Sequence, residues 1–358
     1  MTLVSLGLLG VVFLSAVGLT WWLCSPASQL TFLDHPNERS LHAAPTPRTG
    51  GLAIFGGIIV GLTFSLVLEW SGFSVWRAGS VPSGRPEFWI LGLILIVGIV
   101  SIWDDQASLP IGLRLCVHAL AAGGVVWGAG PTVSTIWLPF LGKVSLGWLA
   151  APVTILFIVW MTNLYNFMDG MDGFAAGMTV FGFGMLGYMG WSGGHQLILV
   201  LSLLVTAATG GFLLFNLPPA RIFMGDVGSV TLGFAAGALA VRGVDDGLFD
   251  AWVPLLIFSP FIVDATVTLL RRLRRGKRVW RAHREHYYQR LVLAGWGHRK
   301  TVLAEYTIML ACGVSAVAYT QTGEPWRLAI LLGWVGAYAV LAWGVLLVES
   351  RARALRAV

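Results

Sequence analysis

The chain has 358 residues, 56% hydrophobic and only 11% charged, with a mean hydropathy of +0.78 and a formal net charge of +6. Soluble domains carry about 25% charged residues, so this composition excludes a soluble enzyme, a nucleic-acid-binding domain and a disordered chain. Cys24, Cys116 and Cys312 lie far apart in apolar stretches and read as small core residues, not as a disulfide framework or a metal site.

A bilayer-crossing helix needs roughly 20 apolar residues. Eleven such runs are predicted, at 3–24, 51–70, 88–103, 111–130, 149–162, 173–191, 196–215, 229–242, 251–270, 301–320 and 328–348. The first is long and has no basic segment ahead of it, so it reads as a membrane helix, not a signal peptide. The expected fold is therefore an all-α integral membrane protein, a polytopic bundle forming one domain over 1–358, with a basic loop at 271–300. Of the 23 Lys and Arg, eighteen fall on the loops 25–50, 104–114, 163–172, 216–228 and 271–300 and the tail after 348. Cytoplasmic loops carry the excess of basic residues. That side is expected to be cytoplasmic, with the N-terminus periplasmic and the C-terminus cytoplasmic.

In chain order, the first cytoplasmic loop ends in PTPRTGG, with Arg48 at the mouth of the second span as a substrate contact or simply part of a Pro/Gly turn. Asp104 and Asp105 close the third span. Adjacent carboxylates at a membrane boundary are costly without a partner; they read as a metal site, a general base or a solvated helix cap. Arg114 opens the fourth span, as a snorkelling cation or a phosphate ligand. NLYNFMDGMDG then supplies Asn163, Asn166, Asp169 and Asp172 at a spacing of three, which shares roughly one helical face. Amides suit sugar and phosphate, and carboxylates suit Mg²⁺. In FMGDVGS, Asp226 precedes the eighth span as a metal ligand near a phosphate held by the helix N-terminus, or as that helix's N-cap. Asp264 lies inside the ninth span and is expected to pair with Arg271 or another nearby cation. The basic loop holds eleven Lys and Arg. It anchors to anionic headgroups, while His283, Arg284 and His286 read as groups that reach a diphosphate or, for His286, as a plain surface histidine.

Together these segments resemble the polyprenyl-phosphate N-acetylhexosamine-1-phosphate transferase family. The order PTPRTGG, DD, NxxNxxDGxDG, FMGDxGS and a basic His loop covers about residues 30–290. Eleven spans with an external N-terminus are similar to its O-antigen-initiating bacterial branch. The resemblance implies transfer of a sugar 1-phosphate from a UDP-sugar to undecaprenyl phosphate with release of UMP. It implies Mg²⁺, with Mn²⁺ as the alternative. It also implies an inner-membrane location, a cytoplasm-facing site, no nucleic-acid partner and a homodimer as one option. It makes Asp226 the metal-ligating acid, Asp104 and Asp105 the essential pair with Asp104 as base, Asn166, Asp169 and Asp172 the uridine or sugar-phosphate motif, and Arg114 a phosphate cation. The usual loop ending, Asp-Arg-x-His-x-His-His, departs here to His283-Arg284-Glu285-His286-Tyr287-Tyr288-Gln289. That departure points away from the wall enzyme making lipid I and towards an O-antigen or exopolysaccharide initiator, with UDP-GlcNAc or a 6-deoxy relative as donor. The competing readings are a transporter or flippase, which calls for midplane charges and related halves, and an inactive assembly scaffold, which the five acids oppose.

Overall fold

The computed structural model describes residues 2–25, 28, 30, 32–36, 41, 44–73, 75–76, 85–278 and 283–356. Parts of two predicted cytoplasmic loops, 25–50 and 271–300, lie outside the described residues. The helices are α1 Leu3–Leu23, α2 Gly50–Trp70, α3 Arg85–Ala107, α4 Ile111–Gly124, α5 Ala150–Met168, α6 Phe174–Gly193, α7 Gln196–Asn216, α8 Gly225–Asp245, α9 Trp252–Ile257, α10 Ser259–Arg274, α11 Tyr287–Leu291, α12 Gly297–Gln321 and α13 Trp326–Arg356. Among the described residues nine helical stretches are long and apolar enough to cross a membrane.

The eleven predicted spans all fall on helix, with two differences. The Gly-rich α6 is long enough to cross but is not among the nine. The ninth span is broken at Phe258 into α9 and α10. Pro260 is the cause: it has no N–H, and its ring clashes with the carbonyl four residues earlier, at Leu256. The break separates α10, which carries Asp264, from the direction set by α9.

The centre of the bundle is α8, with 89% of its apolar stretch buried, whereas α13 buries 6%. Its run of Gly, Ser, Thr and Ala, GSVTLGFAAGALA, lets α3 and α5 approach closely. In lipid such close packing replaces the hydrophobic drive that holds soluble helices together. Around it, α1, α2, α6 and α7 pack on one another.

Two short antiparallel hairpins were not foreseen by the sequence. One pairs β1 (Leu33–Asp34) with β2 (Thr46–Pro47), and the other pairs β3 (Thr135–Leu138) with β4 (Gly142–Ser145). They lie at opposite ends of the bundle. The β1–β2 end gathers the C-termini of α3, α5 and α7 with the N-termini of α2, α8 and α12 around one cavity. The loops assigned to the same side by charge counting do share one end.

Candidate active site

The cavity at that end has a volume of about 480 Å³, within the range of small-ligand sites, roughly 300–1,000 Å³. Asp34, Arg48, Asp104, Asp105, Arg114, Asn166, Asp169, Asp172 and Asp226 line one part of it, and His283, His286, Gln289 and His298 another.

Its floor is made by two sequence motifs locked backbone to backbone. Phe223 N donates to Pro47 O at 2.7 Å, Gly50 N to Phe223 O at 2.9 Å and Gly51 N to Met224 O at 2.8 Å. Gly225 turns the chain at φ +70, and a Cβ there would lie 2.2 Å from Arg48 O. PRTGG and FMGD are thus one structural unit, which sets the Arg48 backbone against Gly225 and its guanidinium on Asp105.

Asp104 and Asp105 do different things although they are adjacent. Asp105 accepts from the Asp226 and Val227 N–H groups at 3.2 and 3.0 Å. It caps α8 from α3 and takes Arg48 at 3.9 Å, while Arg48 Nη2 donates to Asp105 O at 2.6 Å. Asp226 therefore does not cap its own helix, and its carboxylate is left for other work. Asp104 accepts from Leu109 N at 2.7 Å and faces Arg114 Nη1 at 3.2 Å. The same Nη1 lies 3.5 Å from Asp226 Oδ2, so one guanidinium bridges two acids. Asp226 Oδ1 accepts from Asn166 Nδ2 at 2.7 Å.

The Asn/Asp series splits. Helix α5 ends at Met168, so only Asn163 and Asn166 lie on it. Three residues span about 300° of a helix, 60° short of a turn, and rise about 4.5 Å. Asn163 is accordingly deeper and rotated away: its amide donates to Val159 O at 2.7 Å and lies 3.4 Å from His118 Nδ1, outside the cavity. Past the helix end, Asp172 accepts from Ala220 N at 3.1 Å and meets His298 Nδ1 at 3.1 Å. Among the described residues nothing hydrogen-bonds the Asp169 carboxylate. Burial and the nearby Asp226, Asp105 and Asp34 carboxylates push its pKa up to about 8.

In the basic segment, His283 and His286 reach the cavity and Arg284 does not line it. Burial, with the neighbouring His286 and Arg272, lowers His283 to about 4, so near neutral pH it is an uncharged hydrogen-bonding group. The expected pairing of Asp264 with Arg271 is replaced. Arg271 Nη2 donates to Glu285 O, and Asp264 meets His286 Nδ1 at 3.2 Å. Glu285 also holds Arg272 and Lys277, so part of the positive loop is neutralised internally.

The six lining aspartates face two lining guanidiniums, Arg48 and Arg114. With all six ionised the excess would be about four negative charges, where a phosphorylated ligand needs the opposite, and the raised pKa of Asp169, due first to burial, is in part a consequence of that crowding. Among the described residues no three His, Cys, Asp or Glu side chains close around one point. The set fits a hard cation of the Mg²⁺ type, held by one or two carboxylates and completed by phosphate and water oxygens. Asp169 and Asp226 are the residues available to it.

Asn216, His298 and Gln289 were not foreseen. Asn216 accepts from Gly173 N at 3.0 Å and donates to Ile222 O at 2.8 Å, tying the α5–α6 turn to the loop before α8. Its place in FNLPPAR, at a span's polar end, was the available signal.

The family model described as Glycosyl transferase family 4 matches residues 88–244. A Bacillus subtilis protein named "Probable undecaprenyl-phosphate N-acetylglucosaminyl 1-phosphate transferase" is 34% identical over 81% of this chain and 78% of its own length. A Mycobacterium tuberculosis decaprenyl-phosphate N-acetylglucosaminephosphotransferase is 29% identical over 83% of this chain and 79% of its own. A Desulfitobacterium hafniense phospho-N-acetylmuramoyl-pentapeptide-transferase is 30% identical over 82% of this chain and 89% of its own.

Proposed function

Because the chain belongs to the polyprenyl-phosphate N-acetylhexosamine-1-phosphate transferase family, we propose that it moves an N-acetylhexosamine 1-phosphate from a UDP-sugar to undecaprenyl phosphate. An oxygen of the lipid phosphate attacks the β-phosphorus, the bond to the α-phosphate oxygen breaks, and UMP leaves. The product is a lipid diphosphate sugar. The observation that carries this reading is the convergence of Asp104, Asp169, Asp226, Arg48 and Arg114 on one cavity at one end of the bundle.

Both reactants are anions, and phosphoryl transfer depends mostly on positioning and charge neutralisation. A divalent cation, Mg²⁺ or in its place Mn²⁺, would supply part of that neutralisation, with Asp226 and Asp169 holding it. Arg114, poised between Asp104 and Asp226, turns a guanidinium towards the transferring phosphate. Arg48, buried at Nε without a hydrogen-bond partner, offers a second. Asp105 holds the N-terminus of α8 in place, which makes it a positioning residue. A phosphate monoester has a second pKa of about 6, so near neutral pH the acceptor is mostly dianionic and needs no base. Asp104 is then the group that orients Arg114.

The positive-inside count supports a cytoplasm-facing site in a bacterial inner membrane. The altered His loop supports an O-antigen or exopolysaccharide starter over a lipid I enzyme. The Desulfitobacterium relative keeps the lipid I-type donor as the second reading. The test is UMP release by the purified full chain with undecaprenyl phosphate and Mg²⁺, across UDP-GlcNAc, a UDP-6-deoxy-N-acetylhexosamine and UDP-N-acetylmuramoyl-pentapeptide. Release with one of the first two is expected. Release only with the pentapeptide donor overturns the donor assignment, and full activity of Asp226→Asn overturns the cation assignment.

A further inference from the structure

Asp264 lies in α10, outside the acid cluster, and the transfer chemistry above gives it no part. Its carboxylate is nonetheless fully engaged. Oδ1 accepts from Tyr287 N at 3.0 Å and Thr268 Oγ1 at 3.1 Å and meets His286 Nδ1 at 3.2 Å; Oδ2 accepts from Tyr288 N at 3.3 Å. It therefore seats the start of α11 and the imidazole in front of it at once.

A carboxylate only accepts hydrogen bonds. The contact with Asp264 assigns the proton to His286 Nδ1, the tautomer that leaves Nε2 to meet a ligand. The ring is clamped, with His283 4.8 Å away on one side and Tyr288 stacked at 5.8 Å and 17°. His286 is 5% exposed yet lines the cavity. Gln289 Oε1 accepts from His286 N at 3.3 Å and fixes the backbone beneath.

We propose that Asp264 is a positioning residue for the donor substrate: it fixes His286 with Nδ1 protonated and so aims Nε2 at the donor's sugar-phosphate group. This rests on the transferase reading above. Partners that fix the tautomer of a metal-ligating histidine are typically worth about 10–100-fold, and the same orienting role at a substrate-facing histidine sets the scale of the effect sought.

The test is steady-state kinetics on the full chain, with Asp264→Asn, His286→Gln and the double variant. Asp264→Asn keeps the side-chain volume and an acceptor for the α11 N–H groups. Its donor kcat/KM is expected to fall about 10–100-fold, with the lipid acceptor's KM unchanged and no further loss when His286→Gln is already present. A donor kcat/KM equal to the parent's, or losses that multiply in the double variant, overturns the proposal, because a purely structural role would be additive. A ¹⁵N spectrum of histidine-labelled parent protein adds a readout that needs no activity. The His286 signal, identified by its absence in His286→Gln, must show Nδ1 protonated, and an Nε2-only ring overturns the proposal. A parent that transfers from no UDP-sugar sinks the transferase reading alone, and the spectrum still decides the Asp264–His286 contact, even where Asp264→Asn does not fold.

Discussion

Asp104 and Asp105 separate under mutation because one faces Arg114 and the other holds a helix. Asp105→Ala strips two N–H groups at the start of α8 of their acceptor. It is expected to lower stability by about 1–2 kcal/mol, the scale of a lost cap, visible as a lower Tm in detergent as well as lower turnover. Asp104→Asn leaves Tm nearly unchanged and costs activity. If Asp104 only orients Arg114, raising the pH from about 7 to about 9 does not restore the rate, since the lipid phosphate is already ionised; recovery at high pH would return Asp104 to the role of base. Asp169 makes a further prediction. With its pKa pushed up to about 8, a proton competes with the cation below that pH and not above it. The Mg²⁺ needed for half-maximal UMP release should therefore fall as pH rises towards about 8 and level off beyond, and a pH-independent requirement would remove Asp169 from the cation site. The amides divide likewise: Asn166→Ala, which frees Asp226 Oδ1, should cost far more turnover than Asn163→Ala, whose side chain points to Val159 O and His118.

At the scale of elements, the contact between α2 and α8 is the tightest constraint on the site. A Cβ at Gly51 would stand 2.4 Å from Gly228 N and 2.8 Å from its Cα. Backbone cannot step aside as a side chain can, so Gly51→Ala should cost about 1–3 kcal/mol of stability and displace Asp226 from Arg114. A Tm drop together with weaker Mg²⁺ activation checks this. The same contact shows what a sequence conveys. Charged residues stand out at the ends of apolar runs, so Asp104, Asp169, Asp172 and Asp226 were legible one by one. That PRTGG pairs with FMGD, or that Asp105 caps α8 across 122 residues, was not, because hydrogen bonds between distant segments leave no local periodicity. Spacing also misled: three-residue steps grouped Asn163 with Asn166, and the 60° left over per step turned it away. The break between α9 and α10 was hidden for another reason, since a proline inside an apolar run leaves its hydropathy almost unchanged.

At the scale of the molecule, two ends of different chemistry follow from α5, α8 and α12 each running from one end to the other. The acid cavity and the α10–α11 segment lie at one end. The β3–β4 hairpin, pinned by Trp252 Nε1 to Trp137 O at 2.6 Å, lies at the other. Lys143 on that hairpin and Arg275 after α10 are both exposed, so they report the two sides of the membrane. With Cys24, Cys116 and Cys312 replaced by serine or alanine, a single cysteine at position 143 should react with a membrane-impermeant maleimide added to spheroplasts. A single cysteine at 275 should react only after the membrane is opened. The excess of Lys and Arg at the cavity end sets that expectation, and it also fits the supply of nucleotide sugars, which are made in the cytosol. The reverse labelling pattern would place the carboxylates outside, away from any UDP-sugar pool, and the transferase assignment would have to be abandoned along with the orientation.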